Sequence, residues 1–297
     1  MRVVETVAQL QALADRERAA GHRLALVPTM GALHAGHLSL IARARERADR
    51  VWVSIFVNPT QFDSAADVER YPRTLDEDLR RCGEAGVDLV FAPSAGEMYP
   101  RAGQAWVEVG EIGEVLCGAS RPGHFRAVAT IVAKLLLAAK PHVAVFGEKD
   151  YQQLVVIRAL VGDLGVDVEI ASAPIAREPD GLALSSRNRL LHPEARAQAV
   201  ALARALDAVE SALAADERDS GRLRALAIAE IEKAPLARID YAELCDAQSL
   251  RPIEGALAAP TLLALAVWFD PPADGVGRPV RLIDNRVLVP LRDERGC

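Results

Sequence analysis

The chain has 297 residues, of which 51% are hydrophobic and 26% are charged, and its formal net charge is −6. This composition excludes a mini-protein and a disordered chain, because there is enough apolar side chain to bury one large core or two modest ones. The mild acidity argues against a broad nucleic-acid-binding surface, so any anion site must be built locally.

The cysteines and the apolar stretches indicate the compartment. Cys82, Cys117, Cys245 and Cys297 are far apart and include no CxxC pair, a spacing that favours neither a disulfide framework nor a metal cage. No nearly uncharged stretch reaches the roughly 20 residues of a membrane-spanning helix, and the first 18 residues lack the apolar core of a secretory signal. We therefore expect a cytoplasmic protein with no membrane partner.

From residue 23 to about residue 173, apolar runs of strand length alternate with stretches of helical periodicity. The predicted strands are 24–27, 51–57, 88–91, 142–146 and 166–171, and the predicted helices are 37–48, 75–85, 126–139 and 151–164. This alternation is typical of βαβ units. It predicts a Rossmann-like, doubly wound parallel sheet (an α/β fold) in a nucleotide-binding domain that spans residues 1–176.

The pattern changes after Leu190. Leu202, Leu206, Val209 and Leu213 form the stripe of an amphipathic helix, a second helix follows around Leu223, and strands are predicted at 240–244, 261–268 and 280–284. We expect a smaller C-terminal α+β domain over residues 177–297, with the boundary near Ala176, that acts as a lid.

Residues 28–37, PTMGALHAGH, stand where a predicted strand ends and a predicted helix begins. Open α/β sheets bind ligands outside the carboxyl ends of their strands, and helix N-termini favour phosphate. Gly31 and Gly36 allow close approach of the backbone to a ligand, and His34 and His37 can both donate hydrogen bonds to phosphate oxygens. The segment predicts a phosphate site, whereas an isolated motif of this kind would be only a turn with a capping histidine.

Two further segments also follow predicted strands. Asn58 and Gln61 supply neutral donors and acceptors, which suit a small polar substrate better than a phosphate. In the segment FGEKDYQQL, Lys149 can pair with phosphate, Asp150 can accept from ribose hydroxyls, and Gln153 begins a helix that faces the cleft. Taken alone, each segment would be an ordinary solvated turn.

Three polar segments have less specific signals. Thr74 is a candidate N-cap, and the acids behind it, Glu77 and Asp78, either stabilise the helix dipole or act as magnesium ligands. Arg121 and His124 flank a glycine turn and could close over an anion or belong to a surface loop. Residues 184–188, LSSRN, offer hydroxyls, backbone N–H groups and an arginine as a phosphate clamp near the domain boundary.

Eight segments, taken in chain order, resemble the pantoate–β-alanine ligase family, the pantothenate synthetases. They are PTMGALHAGH, SIFVNPTQF, YPRTLDEDL, RPGHF, FGEKDYQQL, LSSRN, DYAEL and RLIDN. The resemblance spans nearly the whole chain. The segment from His34 to His37 is similar to the HIGH-type signature of nucleotidyltransferases and class I aminoacyl-tRNA synthetases, although Ala35 stands where an acidic residue is frequent.

The resemblance implies an ATP-dependent ligation of pantoate and β-alanine through a pantoyl adenylate, with release of pyrophosphate and AMP. It implies that His37, His34 and Lys149 are catalytic, with His37 as a proton donor, and that Gln61 and Gln153 bind pantoate while Gln61 also touches β-alanine. It implies Mg²⁺ bound mainly through the ATP phosphates, and a homodimer. The residues that it implies for ATP binding are Met30, Gly31, His34, His37, Gly147, Glu148, Lys149, Asp150, Ala176, Leu184, Ser185, Ser186 and Arg187.

Two other functions remain open at this stage. A related adenylyltransferase would leave AMP on a phosphorylated acceptor, but such an acceptor calls for more Arg or Lys than the amides of Gln61 and Gln153 provide. A non-catalytic nucleotide sensor would bind ATP without turnover, and the intact set of His34, His37 and Lys149 argues against it.

Overall fold

The structure, a computed structural model, describes residues 1–62, 64–101, 104–273 and 275–290. It divides into two compact units, Met1–Ala176 and Arg177–Cys297. Cys82 and Cys245 are free, buried thiols, and Cys297 lies outside the described residues. In the part of the chain that is described, no helix is long and apolar enough to cross a bilayer.

The first unit is built on a parallel sheet of six strands within the described residues, in the order β1-β4-β3-β2-β5-β6. The strands are β1 (Arg2–Val4), β2 (Leu24–Thr29), β3 (Arg50–Ile55), β4 (Leu89–Phe91), β5 (Val143–Gly147) and β6 (Glu169–Ala173). The helices are α1 (Val7–Ala19), α2 (Ala35–Arg45), α3 (Ala65–Arg70), α4 (Leu75–Glu84), α5 (Ala95–Met98), α6 (Cys117–Ser120), α7 (His124–Ala139) and α8 (Tyr151–Asp163).

Successive residues of a strand face opposite sides of the sheet, and both sides are covered here. Leu24 and Leu26 of β2 belong to a core cluster that includes residues of α1, α7 and α8. Ala25 and Val27 belong to a second cluster, with residues of α2 and α4. The strands are continuous apolar runs for this reason, and the predicted doubly wound α/β fold is confirmed.

Two elements at the start of the chain, strand β1 and helix α1, were not predicted from the sequence pattern. The three residues of β1 are too few to show a period, yet they pair in parallel with β4 from Arg2 to Val4. Helix α1 begins with a capping box, in which the Thr6 hydroxyl accepts from the Gln9 N–H at 3.2 Å and the Gln9 side-chain carbonyl accepts from the Thr6 N–H at 3.4 Å. That T-x-x-Q signal was available in the sequence.

The second unit contains α9 (Pro193–Gln198), α10 (Ala201–Ala214), α11 (Ser220–Glu232), β7 (Ala237–Asp246), β8 (Thr261–Phe269) and β9 (Val280–Leu288). Its strands form an antiparallel sheet in the order β7-β8-β9. The predicted stripe of α10, from Leu202 to Leu213, is buried with Leu263 and Leu265 of β8 in one core cluster. The predicted α+β character of this part is confirmed, with strands longer than the pattern indicated.

Candidate active site

The first unit has a switch point between β2 and β5. These strands are paired in parallel at Ala25↔Val143 and Leu26↔Ala144. The helix after β2 packs on one face of the sheet, and the helix after β5 packs on the other. A crevice opens outside the carboxyl ends of the strands where the winding reverses in this way, and ligands bind there in open α/β sheets. The two predicted phosphate segments follow these two strands and therefore flank one crevice.

His34 and His37 lie against each other at the start of α2, with ring centroids 4.1 Å apart. The Nδ1 of His34 accepts from the backbone N–H of Gly36 at 3.1 Å, and the Nδ1 of His37 accepts from the N–H of His34 at 3.3 Å. Because an accepting ring nitrogen carries no proton, the neutral form of each ring is protonated on Nε2. Two Nε2–H donors thus stand at a helix N-terminus, which itself favours an anion.

Position 36 has no room for a side chain while the His34 ring stays where it is. A Cβ there would lie 2.9 Å from Cε1 of His34 and 3.9 Å from the Cβ of Ala176. An alanine would therefore push the His34 ring out of place. The same contact shows that Ala176, the predicted ATP residue at the end of the unit, lies beside the histidine turn.

The segment after β5 acts electrostatically on His37. The pKa of His37 is lowered to about 3, mainly by burial and also by the neighbouring His34. Asp150 raises this pKa and Lys149 lowers it, so both charges are close to the imidazole. The turn that carries them, Glu148–Asp150, is tied to β6, where the Ser172 hydroxyl donates to the Glu148 carboxylate at 2.7 Å. At pH 7 His37 is therefore a neutral hydrogen-bond donor next to a lysine.

Asp78, one of the two candidate magnesium ligands, faces inward from α4 and is only 1% exposed. Its carboxylate accepts from the backbone N–H groups of Ala32 at 2.9 Å and Leu33 at 2.7 Å. Thr74 is the N-cap residue of α4, as predicted, but its hydroxyl makes no capping hydrogen bond and donates to Asp78 at 3.1 Å instead. Sequence reasoning missed this contact with the loop after β2.

Glu77, the other candidate ligand, is bound by two arginines. It accepts from Arg80 and Arg81, each at 2.7 Å, and these hydrogen bonds lower its pKa to about 2. Over the ranges that the structure describes, no group of three or more His, Cys, Asp and Glu side chains could hold a metal ion. These described side chains do not fit a resident magnesium site.

Gln61 is fixed in the 3-10 turn Pro59–Gln61 after β3. Its Oε1 accepts from Nδ2 of Asn58 at 3.0 Å, and its Nε2 donates to Sδ of Met30 at 3.2 Å. Asn58 is 1% exposed and accepts from the Tyr99 hydroxyl at 2.8 Å. The structure thus brings the predicted pantoate residue to a predicted ATP residue, Met30, through uncharged groups.

Arg121 and His124, whose roles the sequence left open, both bind the main-chain carbonyl of Gln61. Nη2 of Arg121 donates to this oxygen at 2.9 Å, and Nδ1 of His124 lies 3.0 Å from it. A carbonyl oxygen only accepts, so His124 carries its proton on Nδ1 when neutral. In this structure the two side chains position the Gln61 turn.

The first turn of α8 carries two glutamines with different surroundings. Gln153, the second predicted pantoate residue, is partly buried. Gln152 is 7% exposed, donates to the carbonyls of Ile112 and Val115 at 2.9 and 2.7 Å, and accepts from the N–H of Cys117 at 3.0 Å. It anchors the segment before Arg121, and the sequence offers no signal that separates its role from that of Gln153.

The LSSRN segment belongs to the second unit. Ser185 accepts from the N–H of Arg187 at 3.2 Å at the start of the 3-10 turn Ser186–Leu190. Asn188 is 8% exposed and donates to Glu178 at 2.7 Å and to the carbonyl of Ala183 at 3.1 Å. The turn is therefore held by the hairpin of residues 177–183 before it, in which Arg177 and Ala183 form an antiparallel bridge. Its predicted contact with ATP stays a prediction.

That hairpin is attached to β9 by an ion pair. Arg177 donates to both carboxylate oxygens of Asp284 at 2.7 and 3.0 Å, and to the carbonyl of Gly181 at 3.0 Å. The Asp284 side chain is fully buried, so this bidentate pair compensates a charge that would otherwise be costly to bury. The RLIDN segment thus orients the start of the second unit.

Comparison with known proteins agrees with the motifs. Residues 2–287 match the model of the pantoate-beta-alanine ligase family. A pantothenate synthetase of Syntrophobacter fumaroxidans is 51% identical over 290 residues, which cover 98% of this chain and 99% of that protein. The crystal structure of a pantothenate synthetase from Thermus thermophilus is similar at TM-score 0.89 and 43% identity, covering 98% of this chain and all of that one. The pantoate-beta-alanine ligase from Francisella tularensis, in a complex with β,γ-ATP and β-alanine, is similar at TM-score 0.75 and 33% identity, covering 97% of each chain.

Proposed function

This chain belongs to the pantoate–β-alanine ligase family, and from that premise we propose that it joins its two substrates through a pantoyl adenylate. In the first step a carboxylate oxygen of pantoate forms a bond to the α-phosphorus of ATP, and the α–β phosphoanhydride bond breaks to release pyrophosphate. In the second step the unprotonated amine of β-alanine attacks the acyl carbon. The acyl–oxygen bond breaks, AMP leaves, and the amine nitrogen loses a proton to become the amide.

The observation that carries this proposal is the pair of Nε2–H donors of His34 and His37 beside Lys149 at the switch point. The first step needs no protein nucleophile, because the substrate carboxylate is the nucleophile. The protein must instead hold the triphosphate and stabilise the charge that grows on the leaving pyrophosphate. Two imidazole Nε2–H donors and one lysine are suited to that task.

We assign ATP binding to two groups of residues. The first unit contributes the residues around the crevice: Met30, Gly31, His34, His37, Gly147, Glu148, Lys149, Asp150 and Ala176. The second unit contributes Leu184, Ser185, Ser186 and Arg187, on the hairpin held by Arg177 and Asp284. We propose that this unit acts as a lid, and that Mg²⁺ enters with the ATP phosphates.

Gln61 and Gln153 are assigned to pantoate, and Gln61 also to β-alanine. The side chain of Gln61 makes hydrogen bonds with Asn58 and Met30, which are neutral. Neutral donors and acceptors match a hydroxy acid with a single carboxylate, whereas a phosphorylated acceptor would require cations in the same place. Arg121, the cation nearby, donates to the main-chain carbonyl of Gln61, so the partners of the Gln61 side chain stay neutral and support the ligase over the related adenylyltransferase.

Labelled pyrophosphate tests the adenylate step. With ATP and pantoate present and β-alanine absent, we expect label to exchange into ATP, because the first step is reversible while the second cannot proceed. The matched control omits pantoate and should show background exchange only. Exchange at the same rate without pantoate would reject pantoate as the group that is adenylated.

Gln61→Ala is expected to raise the KM for pantoate about 10- to 100-fold, the range for loss of a hydrogen bond to a charged group, and to change the KM for ATP much less. Gln61→Glu, which keeps the shape but adds a negative charge, should raise it further. Steady-state kinetics with each substrate varied in turn measures both effects, and Gln9→Ala at the start of α1 is the control glutamine. A change confined to the KM for ATP would contradict the assignment of Gln61.

A further inference from the structure

We propose that Asp78 is a positioning residue: from α4 its carboxylate holds the backbone of residues 31–33 and so places the two histidines that follow. The inference rests on the proposed function to the extent that His34 and His37 are the groups that bind ATP. It gives Asp78 a different task from the magnesium ligand predicted from the sequence.

The carboxylate of Asp78 is fully engaged by the loop and by its own helix. Both of its oxygens accept from the loop, Oδ2 from the N–H of Ala32 and Oδ1 from the N–H of Leu33, and Oδ2 also accepts from the Thr74 hydroxyl. A buried carboxylate is tolerated when N–H and O–H donors surround it in this way. The Asp78 carboxylate also acts on a neighbouring thiol. The pKa of Cys82 is raised to about 11, mainly by burial and also by the charge of Asp78.

The loop that Asp78 holds has an uncommon backbone conformation. Gly31 has φ +79° and Ala32 has φ +51°, which is the left-handed region that non-glycine residues rarely adopt. A Cβ at position 31 would lie 3.0 Å from Oδ2 of Asp78, so the loop passes directly against the carboxylate. Left-handed backbone at a residue such as Ala32 is unfavourable and persists only when its surroundings stabilise it.

A second contact from the same helix strengthens the hold on the loop. Nη1 of Arg81 donates to the carbonyl of Leu33 at 2.6 Å, and Nε of Arg81 is held by Glu77 at 2.7 Å. Helix α4 therefore binds both the N–H and the C=O of Leu33. The next residue is His34, the N-cap of α2, so the position of the histidine turn depends directly on this clamp.

Asp78→Asn tests the clamp, because it keeps the shape while it turns an N–H donor toward a loop N–H. We expect faster hydrogen–deuterium exchange at the amides of Ala32 and Leu33. We also expect kcat/KM for ATP in pantothenate formation to fall about 10- to 100-fold, the scale for small misplacement of reacting groups, with the KM for β-alanine little changed. Asp88→Asn is the matched control, since Asp88 accepts from the N–H of Val51 at 2.8 Å at the opposite ends of the strands. It should leave both readouts near those of the unmodified enzyme.

A magnesium titration separates the two tasks of Asp78. A positioning role predicts an unchanged half-saturating Mg²⁺ concentration and no rescue by excess Mg²⁺. Rescue by excess Mg²⁺ would overturn the proposal in favour of a metal ligand, and faster amide exchange with full activity would reduce Asp78 to a structural residue. If Asp78→Asn does not fold, Thr74→Val carries the test, because it removes one bond to the carboxylate and should show the same changes at smaller size.

The histidine assignment is tested separately. If His34→Ala and His37→Ala leave turnover unchanged, the ATP site proposed above fails. If those two variants are impaired and Asp78→Asn is not, the clamp alone is wrong.

Discussion

Replacing His37 by alanine is expected to lower kcat/KM for ATP about 10²–10³-fold, the loss that follows removal of one donor to a developing charge. The Nδ1 of His37 accepts from the N–H of His34, which leaves Nε2–H as the donor to the phosphates. His37→Gln should recover part of the loss, because its amide N–H reaches roughly the place of Nε2. Stopped-time assays of pantothenate formation at varied ATP measure the effect.

The control for this prediction is His22→Ala, a histidine of the same unit that is paired with Glu17 at 2.7 Å. His22 lies just before β2 begins, at the end of the strand opposite the crevice. This substitution should leave kcat/KM within about twofold, as expected for a surface substitution. Equal rates for His37→Ala and the unmodified enzyme would remove His37 from the mechanism.

His37 should also make the fold sensitive to acid. Its pKa is lowered to about 3 in the folded protein, mainly by burial, while an unfolded histidine titrates near 6.5. Between these values the unfolded chain binds a proton that the folded chain does not, so stability is present above pH 6.5 and is lost as the pH falls toward 3. The contribution is at most about 1.4 kcal/mol per pH unit.

His37→Asn keeps an acceptor for the His34 N–H and removes the titration. Urea unfolding at pH 7 and pH 5 should therefore show a smaller loss of unfolding free energy in the variant than in the unmodified protein. Identical losses in the two proteins would mean that His37 is not the neutral imidazole described here.

Replacing Lys149 by alanine is the change with the second large expected effect. We expect it to lower the rate of pantoate-dependent pyrophosphate exchange about 10²–10³-fold. Lys149 lies in the turn after β5 and is the cation that acts on His37. Its loss removes a positive charge that acts on His37 at the end of β5. Lys149→Arg should rescue poorly, because a planar guanidinium does not replace a compact ammonium.

A second readout reports on the same geometry without turnover. Because Lys149 lowers the pKa of His37, its removal should raise that pKa, which an NMR titration of the imidazole would detect. Lys233→Ala, at the exposed end of α11 and paired with Glu230, is the control lysine. A normal exchange rate together with an unshifted His37 would place Lys149 away from the triphosphate.

The parts of the candidate site that the sequence predicted are local. Residues 28–37 and 147–153 can be recognised in the sequence, because in each a buried strand is followed by glycine and polar residues before helical periodicity begins. The sequence also predicted the doubly wound sheet, since strands buried on both faces are continuous apolar runs. Once β2 and β5 are neighbours, these two segments must share a crevice.

The contacts that position the site are not local and could not be predicted. Asp78 reaches Ala32 across 46 residues, and Arg121 reaches the carbonyl of Gln61 across 60. Nothing in the acidic first turn of α4 distinguishes Asp78, which is buried, from Glu77, which pairs with arginines. Such partners depend on tertiary packing. A single side-chain contact between distant residues leaves no periodic pattern in the sequence from which it could be predicted.

Transfer of ¹⁸O tests the central claim most directly. Pantoate labelled with ¹⁸O in its carboxylate is turned over with ATP and β-alanine, and the AMP is examined by mass spectrometry. An adenylate route predicts one labelled oxygen in each AMP, because the attacking carboxylate oxygen stays on the α-phosphorus when the acyl–oxygen bond breaks. AMP without label would contradict the account.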